Sequence, residues 1–482
     1  MCIRDRHYFY DAVSGFTSNH WHTNAMEGRA NYRSGVNGSA NGTMITITTD
    51  NHYGGIVYHE YTHNVLYRAN GYWLGNNYFG DGYAMDEGLA DYYSCTFRND
   101  PELQPFRQLD GKMKYPGSGG AHTRGQIIGG ACWDLWHKSG MSSSYVNGLV
   151  YEVVENLPYE DTFGGFMDDL LVADDNDGNI FNGTPHQTQI FSAFNDDHWV
   201  MGNYVAGTIH RDMTWENGTI VLLNNVTVPS GKTLTIQSSA TVNLNGYYLK
   251  STGGTITDNG ATWSPDIAVK QNSTLKGHYS TIQSAIDAAS SGQTVYVASG
   301  TYNEQVTMKA GVDLVGADSS NTIIDVGTGY TAAVYFNGVS DAKLTGFKLR
   351  GYAAVDCNNC SPTIEANSIY NSEFGIYGYG SNPKIKDNSI ANCTYGIMLY
   401  NYSNPCIRSP YGHNTISGSG QGVRCITHSE PELGTTTYWG NNNITTTGYD
   451  IYATSDSPPI YAQNNYWGGG APDSVYAPNG LV

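Results

Sequence analysis

The chain has 482 residues, more than one compact core usually holds, so two or three domains are expected. Only 14% of the residues are charged, and 24 Lys plus Arg against 43 Asp plus Glu give a formal net charge of −19, which argues against nucleic acid or an anionic membrane surface as partner. No apolar run reaches membrane-spanning length, and 58 glycines and 38 tyrosines in an Asn/Ser/Thr-rich background suit a secreted protein of strands and turns.

Met1-Cys2-Ile3-Arg4-Asp5-Arg6 resembles adapter read-through at the start of a metagenomic reading frame. The native N-terminus, with any export signal, is therefore expected to be missing. Between His7 and Asp50, the alternation of Thr43-Met44-Ile45-Thr46-Ile47-Thr48 predicts a strand. It reads either as an ordinary sheet strand or as an edge that pairs with a substrate backbone.

Gly54 to Gly71, GGIVYHEYTHNVLYRANG, predicts a helix closed by Gly71. His59 and His63 then stand one turn apart on one face, close enough for two imidazoles to share an ion, with Glu60 beside them as a base. Taken alone, this pentapeptide is equally a pair of surface histidines on an amphipathic helix. A second helix follows a Gly/Asn-rich loop at Met85-Asp86-Glu87-Gly88-Leu89-Ala90-Asp91-Tyr92-Tyr93. Glu87 can supply a third ligand, and Asp91, one turn on, can take the ring N–H of a ligating histidine. A solvated acidic face is the other reading.

HEYTH followed by DEGLADYY resembles the gluzincin arrangement of thermolysin-like and fungalysin-like zinc metallopeptidases. The metzincin pattern fails at Leu66 and Ala69. The resemblance implies Zn2+ held by His59, His63 and Glu87, Glu60 as general base and Asp91 behind a ligand. It extends to Gly119-Gly120-Ala121-His122, similar to the family segment whose histidine faces the zinc, which makes His122 an oxyanion donor. The family places an Asp five residues before this histidine, where Gly117 stands here; Asp110 is an alternative support. Tyr78 and Tyr83 are further candidate hydroxyls.

Helical patterns continue over Ile127–Trp136, Tyr145–Glu155 and Phe163–Val172. Asp174-Asp175-Asn176-Asp177-Gly178-Asn179 is read as a turn cluster, with Ca2+ as the alternative; Ile180 stands where an EF-hand loop needs Gly. Residues 182–194 resemble the end of fungalysin-like catalytic domains. Beyond Val205 short strands alternate with Asn, Gly and Pro-Ser-Gly turns. A short helix at Thr281–Ala289 leads to Val295-Tyr296-Val297, similar to the opening of pectin-lyase-like β-helix domains.

SPTIEANSI at 361–369 recurs as NPKIKDNSI at 382–390, and again through Asn404-Pro405-Cys406-Ile407 and Asn414-Thr415-Ile416. A period of about twenty residues with asparagine at one corner predicts a right-handed parallel β-helix. Tyr377, Tyr379, Tyr395, Tyr400 and Tyr402 are read either as structural or as platforms for sugars. Of the eight cysteines, Cys2, Cys95, Cys132, Cys357, Cys360, Cys393, Cys406 and Cys425, only Cys357 and Cys360 form a CxxC; disulfides and buried thiols both remain open.

The expected organisation is thus multidomain: an N-terminally truncated α+β zincin domain with a mainly helical C-terminal lobe (1–205), a strand-rich linker or cap (206–268) and an all-β right-handed parallel β-helix (269–482). The expected function is secreted zinc endopeptidase, acting on protein or peptide, with the β-helix binding substrate, polysaccharide or a cell surface. The alternative is a carbohydrate-binding or polysaccharide-cleaving β-helix with an inactive, structural zinc domain.

Overall fold

The computed structural model describes residues 27–30, 39–40, 44–47, 54–104, 107–329, 331–469, 471–472 and 475–482. Cys2 and the first residues lie outside this set. The strand expected at 43–48 is present as Met44–Ile47 (β3), parallel to Glu27–Ala30 (β1) and antiparallel to Ser39–Ala40 (β2).

The helix expected around His59 and His63 runs over Gly54–Asn70 (α1). It stops because Gly71 turns left-handed at φ +85, a conformation open to glycine, and its N–H closes on the Tyr67 carbonyl at 2.8 Å. Asp81–Arg98 (α2) ends the same way at Asn99, φ +51. The short strands Glu102–Gln104 (β4) and Arg107–Gln108 (β5) pair as a hairpin before Ala121–Trp136 (α3). Ser143–Asn156 (α4) and Phe163–Asp174 (α5) start on hydroxyl caps: Ser142 Oγ accepts the Tyr145 N–H and Thr162 Oγ1 the Gly165 N–H. Each cap satisfies a donor that the first helical turn leaves without a partner.

Buried apolar side chains from these helices form one core, including Leu66, Met85, Leu89, Ile127, Val150 and Phe166. Polar contacts fix the helices to one another. Ser94 Oγ donates to the Gly55 carbonyl at 2.7 Å, and Asn70 Nδ2 donates to the carbonyls of Val154 and Leu157, which pins both ends of α1.

Two compact units emerge, one reaching Asn245 and including Thr252–Thr255 and Asn259–Ala261, the other comprising the remaining residues to Val482. The stretch 206–268 is therefore divided between them. In the first unit, Tyr204–Thr208 (β6) and Ala240–Asn243 (β10) flank Gly218–Pro229 (β8) in parallel, and Met213–Trp215 (β7) pairs with Thr233–Ile236 (β9). Val221 and Leu223 of β8 join the helical core.

The second unit is an all-β solenoid capped near its start by a helix over Ile282–Ala288 (α6), which Thr281 and Ser284 begin with a capping box. From Gln293 to Tyr400 each coil contributes a strand to each of three parallel sheets; later coils extend two of them and meet the first through isolated bridges such as Lys384 with Cys406. Thr363–Glu365 stacks on Lys384–Lys386, Ser368–Tyr370 on Ser389–Ala391, and Phe374–Tyr379 on Tyr395–Tyr400. Inward positions carry Ile, Val and Leu, among them Ile364, Ile385, Ile390 and Ile397, all fully buried.

Two turns hold side-chain ladders. At one, Asn388, Asn414, Asn442 and Asn465 each present Oδ1 to the backbone N–H of the asparagine one coil before, at 3.0 Å for every step, and Asn367 Oδ1 accepts the Phe347 N–H at 3.1 Å. At the other, Ser381, Ser403 and Ser429 do the same with Oγ, and Cys360 heads the column by donating its N–H to Ser381. The CxxC thus contains a ladder residue. The seven described cysteines are unpaired as disulfides, and all but Cys406 are buried.

Aromatic rings of successive coils stack on one another along the solenoid. Phe374 and Tyr395 lie 5.4 Å apart at 18°, Tyr379 and Tyr400 5.6 Å apart at 22°, and Tyr402 stacks on His428.

Candidate metal centre

Helices α1 and α2 bring the predicted ligands together. His59 Nε2 and His63 Nε2 are 3.0 Å apart, and Glu87 Oε2 lies 3.2 Å from the first and 3.5 Å from the second. Ligands about 2.1 Å from one tetrahedral ion stand about 3.4 Å from each other, so these separations fit a single small cation. The three residues are buried, and among the described residues they are the one group of His, Cys, Asp or Glu side chains close enough to share an ion. Glu87 Oε2 is itself buried with no hydrogen bond of acceptable geometry, an acceptor that an ion would satisfy.

Each imidazole is held from behind by a carboxylate. Asp91 Oδ1 is 2.8 Å from His59 Nδ1, and Asp86 Oδ1 is 2.7 Å from His63 Nδ1. Both contacts turn Nε2 toward Glu87 and fix the tautomer. Asp86 has no signature apart from standing beside Glu87, and only the ring position of His63 reveals its part. Arg107 was equally hidden: its guanidinium pairs with both oxygens of Asp91 and comes within 3.2 Å of His59 Nδ1.

The charges are strongly coupled. Burial alone would raise the Glu87 carboxyl, but His122, His59 and His63 hold it far below the usual carboxylate range. Burial likewise works against charge on both imidazoles, and the carboxylates outweigh it, Asp91 and Glu87 for His59, Asp86 and Glu87 for His63. The pocket attracts positive charge. Burial raises the carboxyl of Glu60, next along the helix from His59.

The other wall comes from the start of α3. His122 Nδ1 lies 2.7 Å from Glu87 Oε2, while its side chain remains 45% exposed. Glu87 is thus the carboxylate that meets His122, rather than Asp110. Gly117 occupies its position at φ +65, where a Cβ would also come within 2.9 Å of Ile127 Cδ1. The Tyr78 ring lies on Gly120, whose Cβ would meet the hydroxyl at 2.4 Å. Its loop is held by Glu160, which accepts the N–H groups of Asn76 and Asn77. Tyr83 feels Glu87: its hydroxyl is raised by burial first and by that charge second.

Helices α2 and α3 approach closely through glycines. A Cβ on Gly88 would sit 2.2 Å from the Gly125 carbonyl, and one on Gly125 would sit 2.6 Å from the Ala84 carbonyl. This contact sets the distance between Glu87 and His122.

The oxygen-rich loop at 174–179 satisfies much of itself. Asp174 receives Tyr145, Thr184 and His186, and Asp177 receives the Asn179 N–H and Asn182 Nδ2. These are contacts of a turn cluster.

The described fold thus joins a helical unit bearing a three-donor cluster to a β-solenoid. Residues 332–471 match the family model described as right handed beta helix region, so the solenoid carries a right-handed β-helix. No curated protein matches the chain. Among the described residues, no helix is long and apolar enough to cross a membrane.

Proposed function

We propose that the helical unit is a zinc endopeptidase of gluzincin type and that the β-helix serves it as a substrate- or surface-binding module in an extracellular setting. The observation that carries this reading is the convergence of His59 Nε2, His63 Nε2 and Glu87 Oε2 beside the buried carboxyl of Glu60. Zinc held there would polarise the scissile carbonyl and acidify water. Glu60, buried next along the helix from His59, takes the proton of the attacking water and returns it to the leaving amine. His122, on the exposed side of the cluster, hydrogen-bonds the oxyanion. Asp86 and Asp91 hold the imidazoles in register, and Arg107 balances Asp91.

Metal analysis and casein digestion of the full chain test the reading. Equimolar zinc with chelator-sensitive cleavage is expected, and Glu60→Gln should keep the metal while losing about 10² to 10⁴ in turnover. Stoichiometric zinc without such cleavage would overturn the enzyme reading.

A second reading, a carbohydrate-binding or carbohydrate-cleaving β-helix with a structural zinc domain, draws on the match over 332–471. Polysaccharide pull-down and lyase absorbance assays separate it from the first.

A further inference from the structure

The sheet containing Val334–Asn337, Ala353–Asn358 and Phe374–Tyr379 keeps its register through four further coils. One column on the face away from the core therefore reads Tyr335, Asp356, Tyr377, Met398, Arg424, Tyr452 along neighbouring strands about 4.8 Å apart, with Met398 covered and the others partly exposed. Its two charges are treated differently. Arg424 sits between aromatic rings, 5.1 Å from the centre of Tyr395 and 4.7 Å from that of Tyr452. Asp356 also lies between tyrosines, yet no hydrogen bond or ion pair engages it among the described residues. Burial alone pushes its carboxyl up to about 6.

A carboxylate flanked by tyrosines on an otherwise aromatic and amide-rich face is complementary to a cation, by charge and by the ring quadrupoles together. The solenoid itself uses that arrangement for Arg424. Tyrosine and arginine with few other charges are also what protein interfaces concentrate at their centres. Sugars fit less well, because the ring faces of Phe374, Tyr395, Tyr379 and Tyr400 are spent on each other.

We propose that this face docks a polypeptide partner and seats one of its lysine or arginine side chains on Asp356, between Tyr335 and Tyr377. The net charge of −19 draws such a partner in before contact is made.

Fluorescence anisotropy with a labelled octalysine peptide tests this on the full chain, in a Glu60→Gln background that prevents cleavage and at about 0.15 M salt, where long-range attraction is screened. Binding should weaken about tenfold or more in Asp356→Asn. Asp356→Lys should abolish it, and Tyr377→Ala should weaken it. Asp318→Asn, which changes an exposed acid engaged by Ser320 and Asn321 of its own turn, should leave it unchanged. Circular dichroism checks the fold of each variant, and the isosteric Asp356→Asn keeps the test valid if Asp356→Lys does not fold. Equal losses in Asp318→Asn and Asp356→Asn would reduce the effect to net charge and overturn the proposal. So would failure of octalysine to bind, or Asp356-dependent binding of a neutral polysaccharide in its place.

Discussion

Asp86 Oδ1 stands 2.7 Å from His63 Nδ1, while the next residue, Glu87, faces Nε2 of the same ring. Two consecutive carboxylates of α2 thus address one imidazole from its two nitrogens, and the helix that would supply a ligand also orients one. Removing such a support typically costs about 10- to 100-fold in metal affinity. Asp86→Ala and Asp91→Ala are each expected to fall in that range, measured by competition with a chromogenic chelator, and Asp86→Asn, which keeps an acceptor, should lose less. Unchanged zinc affinity in Asp86→Ala would show that His63 is held by other means.

The α2–α3 crossing predicts that Gly88→Ala is harmful although alanine is the better helix former. Its Cβ would lie 2.2 Å from the Gly125 carbonyl and 2.5 Å from Ile128 Cγ2, and backbone cannot yield as a flexible side chain can. A loss of about 1 to 3 kcal/mol is expected from overpacking. Chemical denaturation should show it, together with weaker zinc binding as Glu87 moves. A variant as stable as wild type would mean that the helices separate at little cost.

Along the asparagine ladder, Asn414 accepts from both the backbone N–H and Nδ2 of Asn388, each at 3.0 Å. Asn414→Ala therefore strands donors that water does not reach, since Asn388 is buried. The expected cost is about 1 to 3 kcal/mol for each buried group left unpaired. Urea unfolding followed by tyrosine fluorescence would reveal it, and an unmoved midpoint would contradict the ladder's contribution.

Asp168 on α5 accepts the N–H groups of Asn203 and Tyr204, yet burial pushes its carboxyl up to about 7. An unfolded aspartate titrates near about 3.9, so between these values the folded chain binds the extra proton. Its contribution to stability is complete below about pH 4 and is lost as the pH rises through about 7. The difference in melting temperature between wild type and Asp168→Asn should change across that window in this direction; a constant difference would place the titration elsewhere.

What local chemistry determined was readable in the chain. Helix geometry alone sets His59 against His63 and Glu87 against Asp91, because residues four apart share a face whatever surrounds them. Gly71 ended its helix where expected, as the residue most open to a left-handed turn. The recurrence of SPTIEANSI as NPKIKDNSI disclosed the solenoid, since a stacked coil imposes its own period on the residues it buries. Tertiary structure alone decided how separated segments meet. The roles of Asp86 and Arg107, the meeting of His122 with Glu87, and the glycine contact between α2 and α3 depend on the approach of elements that no local pattern encodes. Chain order likewise leaves the ring stacks and the lone carboxylate of Asp356 unmarked, because neighbours across a parallel sheet lie one full coil apart in sequence.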